Sequence, residues 1–284
     1  LRASRFDAEL LRFAIPQSLN MTLTKYLTRL DVMMLGALGH SDFELGLFGA
    51  AAMITTNIRE VKLIFSGALG PVIARHHALG QRAEFEAVLG RVTRWSTTIA
   101  VPIVLLAAAL RTDLMHVVSK EYARADNAFF LILLVPPLLS CAFGLAGNCI
   151  VYTGHSAYNL LNSVLVAIFN TAFSYLLIPR FGLLGAAWAT AAASLAISGL
   201  QLIELSALEQ VRLRLAAIYK PHIGLAMGSL LLWLVWDPAE LSGLARGGVA
   251  VGVVSAYLLL MVVLRHEELV GLLGRWLRRG SPAA

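Results

Sequence analysis

Hydrophobic residues fill long segments of the chain, and short polar or charged stretches separate these segments. Each segment holds about 20 mainly apolar residues, which lets an α-helix cross the roughly 30 Å hydrocarbon core of a bilayer. The pattern therefore predicts an all-α integral membrane protein with about eight transmembrane helices. We expect them at about 10–38, 44–74, 93–110, 127–152, 157–178, 182–205, 221–236 and 245–264.

Composition agrees with this class and excludes several others. Of the 284 residues, 58% are apolar and 14% charged, whereas soluble domains average about 45–50% apolar and about 25% charged. Such a chain has too little polar surface for a soluble enzyme or a disordered protein. Its two cysteines, Cys141 and Cys149, fall on one predicted helix at a separation of about 12 Å, which excludes a disulfide between them.

The net charge of +6 is explained by membrane topology. Four of the 23 Lys and Arg lie inside predicted helices, and the others divide into 14 on the side of the two termini and five on the opposite side. Because cytoplasmic loops carry the excess of Lys and Arg, both termini are predicted to be cytoplasmic. No nucleic-acid partner is expected.

The loops suggest a division of the chain into two parts. Residues 1–208 are predicted to form one bundle of six helices, with an amphipathic cytoplasmic connector near 78–92, and 209–284 two further helices with a basic tail that includes a second amphipathic segment at 265–279. A solvated helix is the alternative for both amphipathic segments. Gly224/Gly228 and Gly248/Gly252 have the GxxxG spacing that permits close helix contact.

Charged residues deep inside the first two predicted helices are the main functional signal. They are Lys25, Arg29, Asp31, Arg59, Glu60 and Lys62. Each Arg, Lys or Asp at the centre of a membrane helix costs about 2.5–3.5 kcal/mol on the lenient insertion scale. These residues therefore require a polar cavity or mutual pairing.

Helical periodicity arranges these charges on faces. Ser18, Thr22, Lys25 and Arg29 fall within about 60° of one another on the first helix, and Thr55, Arg59, Lys62 and Ser66 share a face of the second. We expect these two cationic stripes to meet near the membrane midplane. Asp31 points roughly 160° away from Arg29, on the side of Gln17, Asn20, Thr24 and Thr28.

Four cations and two acids leave an excess of positive charge that an anionic ligand would relieve. The alternative is that Asp31 and Glu60 form interhelical ion pairs while the other cations contact water or carbonyls.

Pro136-Pro137 should kink or break the fourth helix, as a hinge or as a fixed bend. Asn148, Asn159, Asn162 and Asn170 are candidates for cavity lining or for hydrogen bonds between helices. The sequence contains none of the common catalytic signatures. Adjacent His76 and His77 lack further metal ligands, so we expect no enzyme activity, no metal site and no cofactor.

Several short motifs occur in a recognisable order. The first helix contains RFAIPQSL and RLDVMMLGALG, the second contains LGLFGAAAMI and GPVIARHHALGQ with Pro71 near its exit, and Asn170 precedes LLIPRFGLLGAAWAT at 176–190. From about Leu10 to Leu205 this order resembles the polysaccharide transporter family, the Wzx-type flippases within the multidrug/oligosaccharidyl-lipid/polysaccharide (MOP) exporter superfamily. Members of this family typically have two six-helix bundles, often followed by two extra helices.

The resemblance implies that this chain is the second bundle with two extra helices, acting with an absent N-terminal six-helix bundle or with other polysaccharide-assembly proteins. It also implies a polyprenyl-pyrophosphate-linked oligosaccharide or polysaccharide precursor as substrate, flipped by alternating access across a bacterial cytoplasmic (inner) membrane. Arg29 and Arg59 are then expected to hold the pyrophosphate, with Lys25 and Lys62 attracting it. Asn57 and Asn170 are assigned to the glycan.

Two other functions are retained from the sequence. A cation- or proton-coupled multidrug antiporter of the same superfamily would use Asp31 or Glu60 for ion coupling. A membrane subunit of a polysaccharide-synthesis enzyme would need acid/base residues in an outer loop, where Asp113, His116 and Glu121 are available. A purely structural membrane partner is disfavoured by the charges inside the helices.

Overall fold

The computed structural model describes residues 8–211, 219–234 and 242–264, apart from the side chains of 8–10, 12, 13 and 28. All regular structure in these ranges is helical, which confirms the all-α prediction. The predictions on the N-terminal residues 1–7, on 212–218 and on the basic tail with its amphipathic segment at 265–279 lie outside the described residues.

The first predicted helix is α1 (Ala8–Ala37), and the second is divided into α2 (Asp42–Ile58) and α3 (Glu60–Ala78). Gly39 has a φ of 83° in the turn between α1 and α2, a conformation that favours glycine. Ser41 then caps α2, since its side chain accepts from the backbone N–H of Glu44 while the Glu44 carboxylate accepts from the backbone N–H of Ser41. The break between α2 and α3 falls on Arg59.

The amphipathic connector is not a separate helix, and this corrects the sequence prediction. It continues directly into the third predicted helix, so that α4 runs unbroken over Arg82–Ala109. Phe85 and Leu89 are buried in a core cluster with residues of α3 and α9. The apolar face therefore packs inside the bundle and does not lie on a membrane surface. Two short helices follow, α5 (Arg111–Val118) and α6 (Lys120–Arg124).

The fourth predicted helix is broken, as its prolines indicated. It consists of α7 (Ala128–Leu133), α8 (Val135–Phe143) and α9 (Leu145–Tyr152). Pro136 and Pro137 stand at the start of α8, where their missing N–H groups cost no intrahelical hydrogen bond. A bend of 45° separates Ala128–Phe143 from Leu145–Tyr152.

The fifth and sixth predicted helices are the two arms of α10 (Ser156–Glu209), which reverses at Gly182. Gly182 has φ 55° and ψ −130°, a backbone conformation for which glycine is suited. Near the reversal the arms touch closely, since a Cβ on Gly185 would come 2.3 Å from the carbonyl oxygen of Leu177. Further along, Asn162 on the first arm donates a hydrogen bond to Glu204 on the second.

The last two described helices, α11 (Tyr219–Leu234) and α12 (Gly243–Val263), pack against each other and against α4. A Cβ on Gly224 would meet the Tyr257 ring at 2.6 Å, and one on Gly228 would meet Leu105 at 2.5 Å. Close contact at this first GxxxG spacing is therefore confirmed. Gly248 and Gly252 have no such neighbour within 4 Å among the described residues.

A bidentate pair between Arg246 and Asp113, with the shorter contact at 2.7 Å, joins α12 to α5. Among the described residues, α4, α10 and α12 are long and apolar enough to cross a membrane, and the bent unit α7–α9 would make a fourth crossing.

At one end of the bundle, Glu209 connects three parts of the chain. Its carboxylate lies 2.8 Å from Nδ1 of His77 on α3 and 3.4 Å from Nδ1 of His155, which precedes α10. The side chain of Glu209 is only 7% exposed. This junction holds α3 and both ends of α10 together beneath the core formed by Leu69, Ile73, Ile150 and Leu205.

The reversal at Gly182 gives a first testable prediction. Gly182→Ala should lower the thermal unfolding midpoint, because a Cβ is strained at this φ and ψ by about 1–3 kcal/mol. Gly199→Ala is the matched control, since Gly199 lies inside the second arm with open space around its Cβ position. We expect its midpoint to stay level or rise. Equal midpoints for the two variants in detergent would contradict the reversal.

Candidate functional site

A polar cavity of about 340 Å³ lies inside the bundle, enclosed by α1, α2, α3, α7, α8, α9 and both arms of α10. Its polar lining residues are Asn20, Thr24, Asp31, Thr55, Thr56, Arg59, Lys62, Asn148, Asn159, Ser163, Asn170, Thr190, Ser194 and Gln201. Such a concentration of amides, hydroxyls and charges inside an apolar bundle is costly unless the cavity holds water or a polar ligand. This cavity is therefore the candidate site.

Among the described residues, the lining carries three charged side chains: Asp31, Arg59 and Lys62. Arg59 sits at the break between α2 and α3, and its Nε has no hydrogen-bond partner although it is buried. Lys62 lies against Gly144, where a Cβ would come 3.0 Å from the ammonium nitrogen. The cavity therefore combines two cations with one acid.

Asp31 is held on the side of α1 that faces α10. It is 7% exposed, and Asn170 donates a hydrogen bond of 3.0 Å to its Oδ1. The hydroxyl of Thr190 lies within hydrogen-bond reach of the same carboxylate. The hydroxyl of Thr190 donates to the backbone carbonyl of Ala186. Asp31 therefore bonds to the first arm of α10 through Asn170 and lies beside Thr190 of the second arm.

Amides and hydroxyls line the rest of the cavity. Ser163 donates a hydrogen bond to the side chain of Asn20, which joins α10 to α1. Oδ1 of Asn170 is buried and has no hydrogen-bond partner. Gly147 leaves the space taken by Gln201, because a Cβ there would come 2.4 Å from the Gln201 amide. Such groups supply both donors and acceptors to a polar ligand.

The structure places only part of the predicted site residues in this cavity. Arg59, Lys62, Asn170, Asp31, Pro136 and Pro137 line it. Lys25, Arg29, Asn57 and Glu60 do not, and their side chains are exposed on the outside of the bundle. The roles of these residues in binding, ion coupling or hinge motion remain predictions.

The prediction that the two cationic stripes meet is wrong, because the stripe of α1 with Lys25 and Arg29 does not face the cavity. The stripe on α3 does reach the cavity through Arg59 and Lys62, but α1 turns its opposite face inward, with Asn20, Thr24 and Asp31. The physical reason is that these three residues face α10, where Asn170 and Ser163 supply partners for Asp31 and Asn20.

Several lining residues were missed by sequence reasoning. Asn20 and Thr24 share a helix face with Asp31, and this shared face could have identified them. Ser163, Ser194, Thr190 and Gln201 on the apolar arms of α10 gave no such signal. Of the four asparagines singled out, Asn148, Asn159 and Asn170 line the cavity, whereas Asn162 is engaged with Glu204.

The sequence matches no family model and no curated protein significantly. Two solved structures are similar to it. One is a MOP superfamily transporter from Pyrococcus furiosus, at 17% identity and a TM-score of 0.59 over 80% of this chain and 53% of that one. The other is an outward-facing multidrug resistance transporter of the MATE family, within the same superfamily, at 16% identity and a TM-score of 0.55, over 88% and 62%.

The chain shares the fold of these MOP transporters. It spans 53% and 62% of their lengths, so the likeness concerns only part of each molecule. For the Pyrococcus furiosus protein, a reversed polarity of the binding pocket is described as suggesting a different function. At such low identity the likeness shows the fold alone.

Water in the cavity can be tested by cysteine labelling in lipid vesicles. Ser194→Cys places a thiol in the cavity lining, and Leu195→Cys places one at the next residue, which is 61% exposed on the outer surface of the bundle. A cationic methanethiosulfonate should label Ser194→Cys at least tenfold faster, because thiols react as thiolates and these form in water rather than in lipid.

The unmodified protein sets the background for this experiment, since both native cysteines are buried. Equal labelling at 194 and 195, followed by mass spectrometry, would contradict a water-filled cavity in a membrane-embedded bundle.

Proposed function

We propose that the chain forms part of a membrane transporter that moves an anionic, sugar-bearing lipid by alternating access. The substrate class is a polyprenyl-pyrophosphate-linked oligosaccharide or polysaccharide precursor, and the membrane is the cytoplasmic membrane of a bacterium, with both termini on the cytoplasmic side. The role is transport, not catalysis. The shared fold with MOP transporters supports the general proposal.

The observation that carries the substrate class is the pair of cations in the cavity. Arg59 and Lys62 outnumber Asp31, and Nε of Arg59 is buried without a hydrogen-bond partner. A guanidinium binds two oxygens of a phosphate at once, and an ammonium adds a second point of attraction. A diphosphate would therefore supply the negative charge and the hydrogen-bond acceptors that Arg59 and Lys62 require.

The uncharged polar residues of the lining suit the glycan. Asn148, Asn159 and Gln201 line the cavity together with the hydroxyls of Ser163 and Ser194. Sugar hydroxyls both donate and accept, and amide side chains offer both functions in one group. The volume of about 340 Å³ would hold only the first sugar units with the pyrophosphate, so a longer glycan and the lipid would extend beyond this chain.

Motion would come from the broken helices. Pro136 and Pro137 line the cavity at the start of α8, and the 45° bend of the α7–α9 unit follows at Gly144, which also lines the cavity. Discontinuous helices form the substrate sites of many transporters, in which one bundle rocks against another. We assign the hinge to this unit. Because the chain spans about half of its structural neighbours, a complete access cycle would involve further helices, from an N-terminal six-helix bundle or another assembly protein.

A second candidate is a cation- or proton-coupled multidrug antiporter. It is favoured by the buried carboxylate of Asp31 in the cavity and by the fold shared with a multidrug resistance transporter. A lipophilic cation would then pair with Asp31. The excess of cations in the described lining favours the anionic substrate over this candidate.

The two functions are separated by ligand-dependent thermal stability of the detergent-purified protein. A polyprenyl pyrophosphate should raise the thermal unfolding midpoint. At a ligand concentration 100 times its dissociation constant, binding stabilises the folded protein by about 2.7 kcal/mol. The neutral polyprenol and a lipophilic cation should give little shift. Arg59→Gln should abolish at least 80% of the pyrophosphate effect, because it removes the buried fork of donors.

Arg29→Gln is the matched control, since it makes the same change at an exposed site outside the cavity. We expect it to keep the pyrophosphate shift. A shift with the cation alone, lost in Asp31→Asn, would support the antiporter instead. Loss of the pyrophosphate shift in Arg29→Gln but not in Arg59→Gln would move the anion site to the outer face of α1.

A further inference from the structure

Asp31 is the one acid among the described residues of the cavity lining, and its position opposes simple anion binding. An anionic headgroup that enters this cavity meets a fixed carboxylate as well as Arg59 and Lys62. A hydrogen bond from Asn170 holds that carboxylate on the α1–α10 side, and the hydroxyl of Thr190 lies beside it. An anion site alone therefore does not explain why Asp31 lies in this cavity.

The electrostatic partner of Asp31 is Arg59. The two charges attract each other across the cavity. No direct ion pair joins them in the part of the chain that the structure describes, and Nε of Arg59 stays without a hydrogen-bond partner. Asp31 thus balances the charge of Arg59 from a distance, while Nε of Arg59 has no hydrogen-bond partner.

This arrangement differs from a structural salt bridge. In a buried salt bridge both partners satisfy each other directly, and the geometry stabilises one closed state. Here Asn170 bonds to Asp31 from α10, whereas Arg59 sits at the helix break between α2 and α3. The space between the two charges is cavity.

We infer that Asp31 is a resident counter-anion for Arg59, which an anionic headgroup replaces when it enters the space between them. This inference rests on the proposed function, because it takes Arg59 as the anion site. The empty cavity is stabilised by the long-range attraction between Asp31 and Arg59. The bound headgroup takes over the guanidinium and is repelled by Asp31, so Asp31 lowers affinity and favours release.

The inference also concerns the charge of the ligand. Repulsion from Asp31 grows with that charge, so Asp31 lowers the affinity of a diphosphate more than that of a monoanion. A diphosphate, with several oxygens, offsets this loss because it can contact Arg59 and Lys62 together.

The test is direct binding of a polyprenyl pyrophosphate to the detergent-purified full chain. Asp31→Asn should bind about tenfold more tightly than the unmodified protein, since it removes one repulsive charge and keeps an oxygen that accepts from Asn170. Glu60→Gln is the matched control, because it removes the same charge at an exposed site next to Arg59. We expect less than a twofold change there.

A double variant identifies the route of the effect. In Asp31→Asn combined with Arg59→Gln, the gain should disappear, because the counter-anion acts on Arg59. Affinity for the pyrophosphate should rise more in Asp31→Asn than affinity for a polyprenyl monophosphate, because the lost repulsion scales with the charge of the ligand. Asp31→Ser is the second variant if Asp31→Asn does not yield folded protein, as judged by its unfolding midpoint.

The outcomes separate the inference from the proposed function. Weaker or unchanged pyrophosphate binding in Asp31→Asn, while the unmodified protein binds, overturns the counter-anion role and leaves the anion site standing. Equal gains in Asp31→Asn and Glu60→Gln also overturn it, since the effect would then be one of overall charge. If neither the unmodified protein nor Asp31→Asn binds the pyrophosphate, the proposed function fails and the inference fails with it.

Discussion

The cost of placing a charge in an apolar bundle governs the arrangement of this molecule. A buried carboxylate or guanidinium must be paired, hydrogen-bonded or hydrated. Asp31 meets this requirement through Asn170, with Thr190 beside it, which fixes the face that α1 turns toward α10. That contact in turn determines which side of α1 can line the cavity. The packing of α1 against α10 therefore depends on the polar residues between them.

Helix breaks follow the same constraint. The backbone is interrupted at Arg59, at Leu134, at Gly144 and at Gly182. Arg59 and Gly144 line the cavity themselves, and the break at Leu134 is followed by the two prolines of its wall. Irregular backbone at membrane depth is tolerated where it is buried in protein or lines a cavity. The breaks at Arg59, Leu134 and Gly144 thus fall where the backbone is next to the polar lining.

Much of the fold could be predicted from the hydrophobic segments and from the helix-breaking prolines. The apolar runs located the helices, and Pro136-Pro137 predicted the break before α8. The amphipathic connector near 78–92 was harder to predict, because its apolar face at Phe85 and Leu89 fits a surface helix and the start of a buried helix equally well. Only the neighbouring α3 and α9 decide between them. The site was predicted only in part. The position of Arg59 and Lys62 deep inside a predicted membrane helix identified them as cavity residues. On α1, however, polar residues lie on two faces, and helical periodicity alone does not show which face lines the cavity.

The cost of a charge in an apolar environment also applies to the exposed charges outside the cavity. Lys25 lies about 18 Å along the helix axis from the end of α1 at Ala37, at 1.5 Å per residue, and its side chain is exposed. Glu60, also exposed, lies farther from the start of α2 at Asp42, about 27 Å at 1.5 Å per residue. A long side chain reaches only a few ångströms toward a membrane surface, so neither group can be explained by snorkelling alone. Lipid tails are thus an unfavourable neighbour for these charges, and water or other protein is a favourable one. The six charges that sequence analysis assigned to one cavity therefore divide between two environments. Arg59, Lys62 and Asp31 line the cavity, whereas Lys25, Arg29 and Glu60 are exposed on the outside.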